Sequence, residues 1–349
     1  MTVRLSAILL FYSCLEEKDY GDYGNTLINF AEKLSRTPFP FTTGTGGNIK
    51  QIQKRITNIA VYQPQSMVKK ITGICSYILI AVLLLGLAPK LSVFAAEEEH
   101  YQFNEAAKNV SYINLTSYFD GYAGSFVLYD TDSDIWQIYN PEYAAMRVSP
   151  DSTYKLYDAL LGLETGIITP GYSVMPWDNI SYPFESWNDD QDLNSAMRNS
   201  VNWYFQNIDK QAGAAVVKQY FQKISYGNQD TSGGLTFYWI ESSLKISPIE
   251  QVELLRKFYY NAFQCSPKNI DAVKNSILLS SFANGSLYGK TGSGQVNGQN
   301  VNGWFVGYVE QSYHTYFFAV NIQSKDNATG SAAVKIAQAV LNDLNIYEY

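Results

Sequence analysis

Ser152-Thr153-Tyr154-Lys155 is the stretch on which the reading of this chain turns. On a helix, a serine and a lysine three residues apart share one face, one turn from each other. A serine hydroxyl is a poor nucleophile until a base takes its proton. A neutral lysine amine, or the carbamate it forms with carbon dioxide, can be that base. Burial lowers a lysine pKa, so the amine can be neutral near pH 7. The spacing alone carries little weight, because Ser66–Lys69 and Ser242–Lys245 repeat it. Its surroundings make the case.

Three further motifs follow in order. Ser200-Val201-Asn202 comes first, then Tyr226-Gly227-Asn228, then Lys290-Thr291-Gly292 with Ser293 behind it on an expected strand. Lys290 offers a fixed positive charge to a substrate carboxylate, and Thr291 a hydroxyl to hold it. Gly292 lets backbone approach a ligand closely. Each triplet is weak in isolation; all of them in order within one segment of about 250 residues are not.

Composition narrows the class. The chain has 349 residues, 46% of them hydrophobic, and a net charge of −7. No basic surplus exists to neutralise phosphates, so a nucleic-acid partner is not expected. Cys14, Cys75 and Cys265 fall in three separate regions and suggest neither a disulfide framework nor metal spacing. The two histidines, His100 and His314, form no H-E-x-x-H arrangement, so no metal site is expected.

Taken in order, residues 1–68 form a polar region with a short apolar opening. Ile71 to Pro89 then runs 19 positions without a charge, roughly 28 Å of helix at 1.5 Å per residue, near the thickness of a bilayer core. Lys69 and Lys70 precede it and Glu97 to Glu99 follow. This predicts one transmembrane helix over 69–90, with 1–68 cytoplasmic and everything after a linker at 91–104 outside the cell. Residues 105–349 read as one α+β domain. Strands are expected at Gly124–Tyr129 and Trp136–Tyr139, joined by a turn at Asp130–Asp134. A mostly helical stretch from Ser152 to about Leu279 includes Gln191–Phe205, Ala214–Lys223 and Pro248–Phe263. Strands at Gly285–Thr291, Gly303–Glu310 and Thr315–Ile322 and a closing helix from about Ser331 to Leu344 complete it. The pattern predicts an antiparallel sheet carrying a helical cluster.

The motifs resemble those of the penicillin-recognising serine enzymes, S-x-x-K, S-D-N and K-T-G. Residues 100–349 are similar to the class D beta-lactamases and to the sensor domains of BlaR/MecR-type receptors. The likeness extends to Pro150-Asp151-Ser152-Thr153-Tyr154-Lys155, Trp187-Asn-Asp-Asp-Gln191, Trp239-Ile240-Glu241 and Gly303-Trp-Phe-Val-Gly307. Asp22-Tyr-Gly-Asn-Thr-Leu27 and Leu85-Gly-Leu-Ala-Pro89 resemble a receptor segment that class D beta-lactamases lack, which makes the receptor the closer relative.

The resemblance implies a serine beta-lactamase/penicillin-binding (transpeptidase-like) fold. Ser152 is then the nucleophile, carrying an acyl-ester after beta-lactam opening. Lys155 is the base, as an N-carboxylated lysine in the free state, with no cofactor beyond carbon dioxide. Trp239 matches the tryptophan that steadies such a carbamate. Ser200 relays a proton to the leaving nitrogen. Lys290 and Thr291 anchor the drug's carboxylate, with Gly292, Asn202 and Tyr226 lining the same site. The backbone N–H groups of Ser152 and Ser293 form the oxyanion hole.

Two departures stand out. Class D enzymes carry Ser-x-Val where this chain has Ser200-Val201-Asn202. An asparagine there can hydrogen-bond the lysine amine, favour its decarboxylated form after acylation, and so leave no base to activate water. The closing helix has Lys335 as its only cation, where class D enzymes often place an arginine. The receptors' zinc motif, H-E-x-x-H, does not occur in these 349 residues, so repressor cleavage is expected to rest with a partner peptidase. The expected function is a membrane-anchored beta-lactam sensor; the alternatives are a class D beta-lactamase and, further off, a cell-wall transpeptidase.

Overall fold

Alternation in the strands settles the layering. In β2 (Ala123–Asp130), Phe126 and Leu128 face one way and Val127 and Tyr129 the other. In β6 (Gln299–Gln311), Phe305 and Val309 oppose Trp304, Val306 and Tyr308; in β7 (Thr315–Gln323), Phe318, Val320 and Ile322 oppose Phe317 and Ala319. Period-2 apolar residues on both faces require cover on both sides. The computed structural model describes residues 100–348, together with Asp22. The expected cytoplasmic region at 1–68 (Asp22 apart), the transmembrane helix at 69–90 and the linker as far as residue 99 lie outside the described residues.

The sheet has eight strands in the order β1-β3-β2-β7-β6-β5-β4, with β8 beside β6. β1 is Asn109–Tyr112, β3 Ile135–Tyr139, β4 Leu278–Phe282, β5 Gly285–Val296 and β8 Asn327–Ala328. The central pairs are antiparallel as expected, but β1 runs parallel to β3 and β8 parallel to β6. The sheet is therefore mixed. Both parallel pairs involve strands of four residues or fewer, too short to leave the alternating signal from which strand direction and pairing are inferred.

One face carries the helical cluster: α1 (Pro141–Ala145), α2 (Lys155–Glu164), α3 (Leu193–Arg198), α4 (Asn202–Ala212), α5 (Ala214–Ile224), α6 (Pro248–Tyr259) and α7 (Pro267–Ser276). The other face is covered by α8 (Gly330–Asp343) through Ala333, Ile336, Ala337, Val340 and Leu341. Spacings of three and four place these on one helical stripe. α2 is different: every residue from Lys155 to Leu163 is buried, which makes it the central post of the helical layer.

The middle of the chain is less helical than its composition predicts. Segments 165–192 and 225–247 contain no α-helix. Pro170, Pro176 and Pro183 interrupt the first, and Gly227, Gly233 and Gly234 the second. The expected single helix over Gln191–Phe205 breaks at Asn199–Val201, leaving Ser200 with φ +54. That break exposes the Ser200 hydroxyl to the site.

Candidate active site

The nucleophile candidate sits where a 3-10 turn, Asp151–Tyr154, runs into α2. Ser152 is half-buried, while Lys155 below it is fully buried. Three oxygens surround the lysine amine. Ser152 Oγ and Asn202 Oδ1 are each 2.6 Å from Nζ, and Ser200 Oγ is 3.2 Å away. Burial, then the positive charge of Lys290, push the Lys155 pKa well below the usual lysine range. A neutral amine beside a serine hydroxyl is a base in place.

Ser200 also lies 3.1 Å from Lys290 Nζ. The chain Ser152–Lys155–Ser200–Lys290 is therefore continuous at hydrogen-bond distance. Burial alone lowers Lys290 to about 7, and its ammonium donates to the Thr291 carbonyl at 3.1 Å. Thr291 is half-buried and Ser293 exposed, so both hydroxyls are available to a ligand above the two lysines.

β5 passes directly over the nucleophile's turn. A Cβ on Gly292 would stand 3.1 Å from the Pro150 carbonyl oxygen and 3.3 Å from Thr153 Cγ2. Any side chain there would press the strand off the turn, which is the physical need for glycine after Lys290 and Thr291. The N-terminus of α8 abuts the same strand: the Gly330 N–H donates to Ser293 Oγ at 2.8 Å. Lys335, the only cation of α8, is exposed in the second turn of that helix, so hydroxyls and Lys290 dominate this edge.

One predicted site residue, Tyr226, lies away from any substrate, and a second, Trp239, has its indole N–H engaged by a residue the motifs do not contain. Tyr226 is fully buried among Tyr154, Tyr157 and Phe221, with ring centroids 5.3–5.6 Å apart. It is a core residue and presents no surface to a substrate. Its motif instead folds the following loop, through the Asn228 amide donating to the Ser243 carbonyl and accepting from the Lys245 N–H, both at 2.9 Å. Trp239 does border the lysine, with its ring centroid 4.7 Å from Lys155 Nζ. Its indole N–H, however, donates to Asp209 Oδ2 at 3.2 Å. Asp209 also accepts from Tyr238 at 2.7 Å, and burial raises its carboxyl to about 7. The sequence reading missed Asp209 because nothing local distinguishes an inward acid on α4 from a solvated one.

Residues 124–342 match the family Transpeptidase, the penicillin binding protein transpeptidase domain. The chain belongs to this family. Within it, the chain is 39% identical to the regulatory protein BlaR1 of Bacillus licheniformis over 99% of its own length and 57% of the relative's. The chain thus spans little more than half of that relative. Among solved structures, it is 45% identical to the C-terminal domain of the Bacillus licheniformis BlaR penicillin-receptor, with a TM-score of 0.67, covering 69% of this chain and 99% of the other. The class D beta-lactamase BAT-2 matches at 34% identity and a TM-score of 0.64, covering 71% of this chain and 100% of that one. The transpeptidase-domain and class D beta-lactamase fold expected from the motifs is therefore the fold of residues 100–348. The BlaR/MecR likeness covers nearly all of its length.

Proposed function

We propose that this chain is the sensing part of a membrane-anchored beta-lactam receptor, acylated once and stably at Ser152. The observation that carries the proposal is the shared amine: Ser152 Oγ and Asn202 Oδ1 both stand 2.6 Å from Lys155 Nζ. The first partner makes acylation possible. The second competes for the base that deacylation would need.

In the acylation step, Ser152 Oγ attacks the lactam carbonyl as its proton passes to Lys155. The carbon–nitrogen bond of the ring breaks. The proton then moves from Lys155 through Ser200 to the departing nitrogen, and Lys290 supports that transfer electrostatically. The backbone N–H groups of Ser152 and Ser293 receive the negative charge developing on the carbonyl oxygen. Lys290, Thr291 and Ser293 hold the drug's carboxylate.

Lys155 is suited to carboxylation, because a buried neutral amine adds carbon dioxide. The Ser152 and Ser200 hydroxyls are placed to donate to a carbamate there, while the Trp239 N–H is held by Asp209. When present, the carbamate would supply a base for the Ser152 proton. Once the serine is acylated and any carbamate has lost its carbon dioxide, the free amine takes up a proton from solvent, Asn202 Oδ1 accepts from the resulting ammonium, and no group remains to activate water. Signalling would proceed across the membrane helix at 69–90 to a repressor-directed peptidase, with the sensor domain outside the cell.

The alternative is a class D beta-lactamase that hydrolyses the same acyl-enzyme; its support is the 34% identity to BAT-2, below the 45% to the BlaR domain. Exposure of the full chain to benzylpenicillin, followed by intact mass, tests both. One stable adduct per chain, absent from Ser152→Ala, is the expected result. Many turnovers of a chromogenic cephalosporin per chain would overturn the receptor in favour of the hydrolase. No adduct at all would remove both.

A further inference from the structure

Asp151 directly precedes Ser152, is 2% exposed, and has φ +48. Glu241, two residues past Trp239, has φ +40. Neither is glycine, so each backbone is strained and must be held by its surroundings. The two side chains hold each other through β6. Asn302 Nδ2 donates to Glu241 Oε1 at 2.8 Å, to Asp151 Oδ2 at 3.0 Å and to the Ser149 carbonyl at 2.9 Å. The Glu241 N–H donates to Asp151 Oδ1 at 3.3 Å. Gly294 on β5 lies against both acids: a Cβ there would collide with Glu241 Oε1 and stand 2.6 Å from Asp151 Oδ2.

Two carboxylate oxygens brought to one point, one of them on the buried Asp151, cannot both be charged at small cost. Burial, and then the Glu241 charge, push the Asp151 carboxyl well above the usual range, with Lys155 pulling weakly the other way. Glu241 and Lys155 are the charged groups facing Asp151; Asn302, Gly294 and Ser149 around it are neutral. The acid pair thus joins three parts of the site: the turn carrying Ser152, the loop carrying Trp239, and the strand just past Ser293.

We infer that Asp151 and Glu241 share a proton and act as a clasp, positioning Ser152 against the Ser293 backbone for acylation. Neither touches the reacting atoms; both are positioning residues. The inference rests on Ser152 being the nucleophile. Without the proton the two acids repel, and the gap between the nucleophile's turn and β5 widens.

The test uses the full chain with Glu241→Ala and Glu241→Gln. Glu241→Ala lowers the rate constant for acylation by benzylpenicillin by about tenfold or more, with the preceding non-covalent affinity little changed. Glu241→Gln restores most of the rate, because its amide can donate where the shared proton did. The thermal midpoint reads the proton itself. A raised acid contributes stability at low pH that is lost as pH rises through its folded pKa. The midpoint of Glu241→Gln minus that of wild type therefore climbs with pH, while Lys155 and Lys290 titrate in both proteins and cancel. Wild-type acylation with Glu241→Ala at the wild-type rate overturns the clasp alone, as does a failed rescue by Gln or a midpoint difference flat in pH. Wild type that takes no label overturns the Ser152 reading instead. Should Glu241→Ala not fold, the comparison of Gln with wild type still decides.

Discussion

Asn202 Oδ1 stands on the Lys155 amine at 2.6 Å, as close as Ser152 Oγ does. A hydrogen bond to a charged group contributes about 1.5–3 kcal/mol, and each 1.36 kcal/mol is tenfold in rate. Asn202→Val removes that competitor and leaves an apolar wall. Deacylation should accelerate by about ten- to a hundredfold, and labelled carbon dioxide should give a stronger lysine carbamate signal by 13C NMR. Acyl-enzyme lifetime by intact mass is the measurement. An unchanged lifetime removes the role given to Asn202.

The two buried lysines set opposing pH limbs. Lys155 must be neutral to accept the serine proton, so acylation rises as pH climbs through its lowered pKa. Lys290 must be charged to hold a carboxylate, and its buried ammonium loses its proton near about 7. The second-order acylation rate should follow a bell over the range in which the two lysines titrate, with the alkaline limb belonging to Lys290. Fluorescent-penicillin labelling across that range reads it. Lys290→Met should lower the rate and remove the alkaline limb; retention of that limb would assign it to another group.

Gly292→Ala tests the close crossing of β5 over the nucleophile's turn. Its Cβ would lie 3.1 Å from the Pro150 carbonyl oxygen, and both partners are backbone or near it. A displacement of a few tenths of an ångström at the oxyanion side should lower acylation about ten- to a hundredfold while the domain still folds. Circular dichroism and labelling kinetics on one sample separate the two effects.

Tyr226→Phe tests the reassignment of Tyr226 to the core. The stability change should stay within about 1 kcal/mol, with acylation at the wild-type rate. Tyr226→Ala should cost about 3–5 kcal/mol by leaving a cavity among the aromatic rings. A Phe variant that folds normally but acylates slowly would return Tyr226 to the substrate.

Much of the site was legible in one dimension. Ser152 and Lys155 are three residues apart, so helical geometry puts them on one face, and Lys290, Thr291 and Gly292 are adjacent on one strand. The long strands β2, β5, β6 and β7 and the helix α8 carry strong periodic patterns, and their bounds differ from expectation by a few residues. The short parallel strands β1 and β8 carry no such pattern, and loops punctuated by proline and glycine stand where the sequence predicts helix.

Residue order and spacing pick out the candidate nucleophile, its candidate base and the strand that crosses them, because helix and strand periods are local properties of the backbone. Only the tertiary structure decided that Tyr226 is core, that Asp209 takes the Trp239 N–H, and that Asp151 meets Glu241 over Asn302. Those partners lie 30 to 151 positions apart. Burial and close approach across such separations arise from packing, which no window of sequence contains.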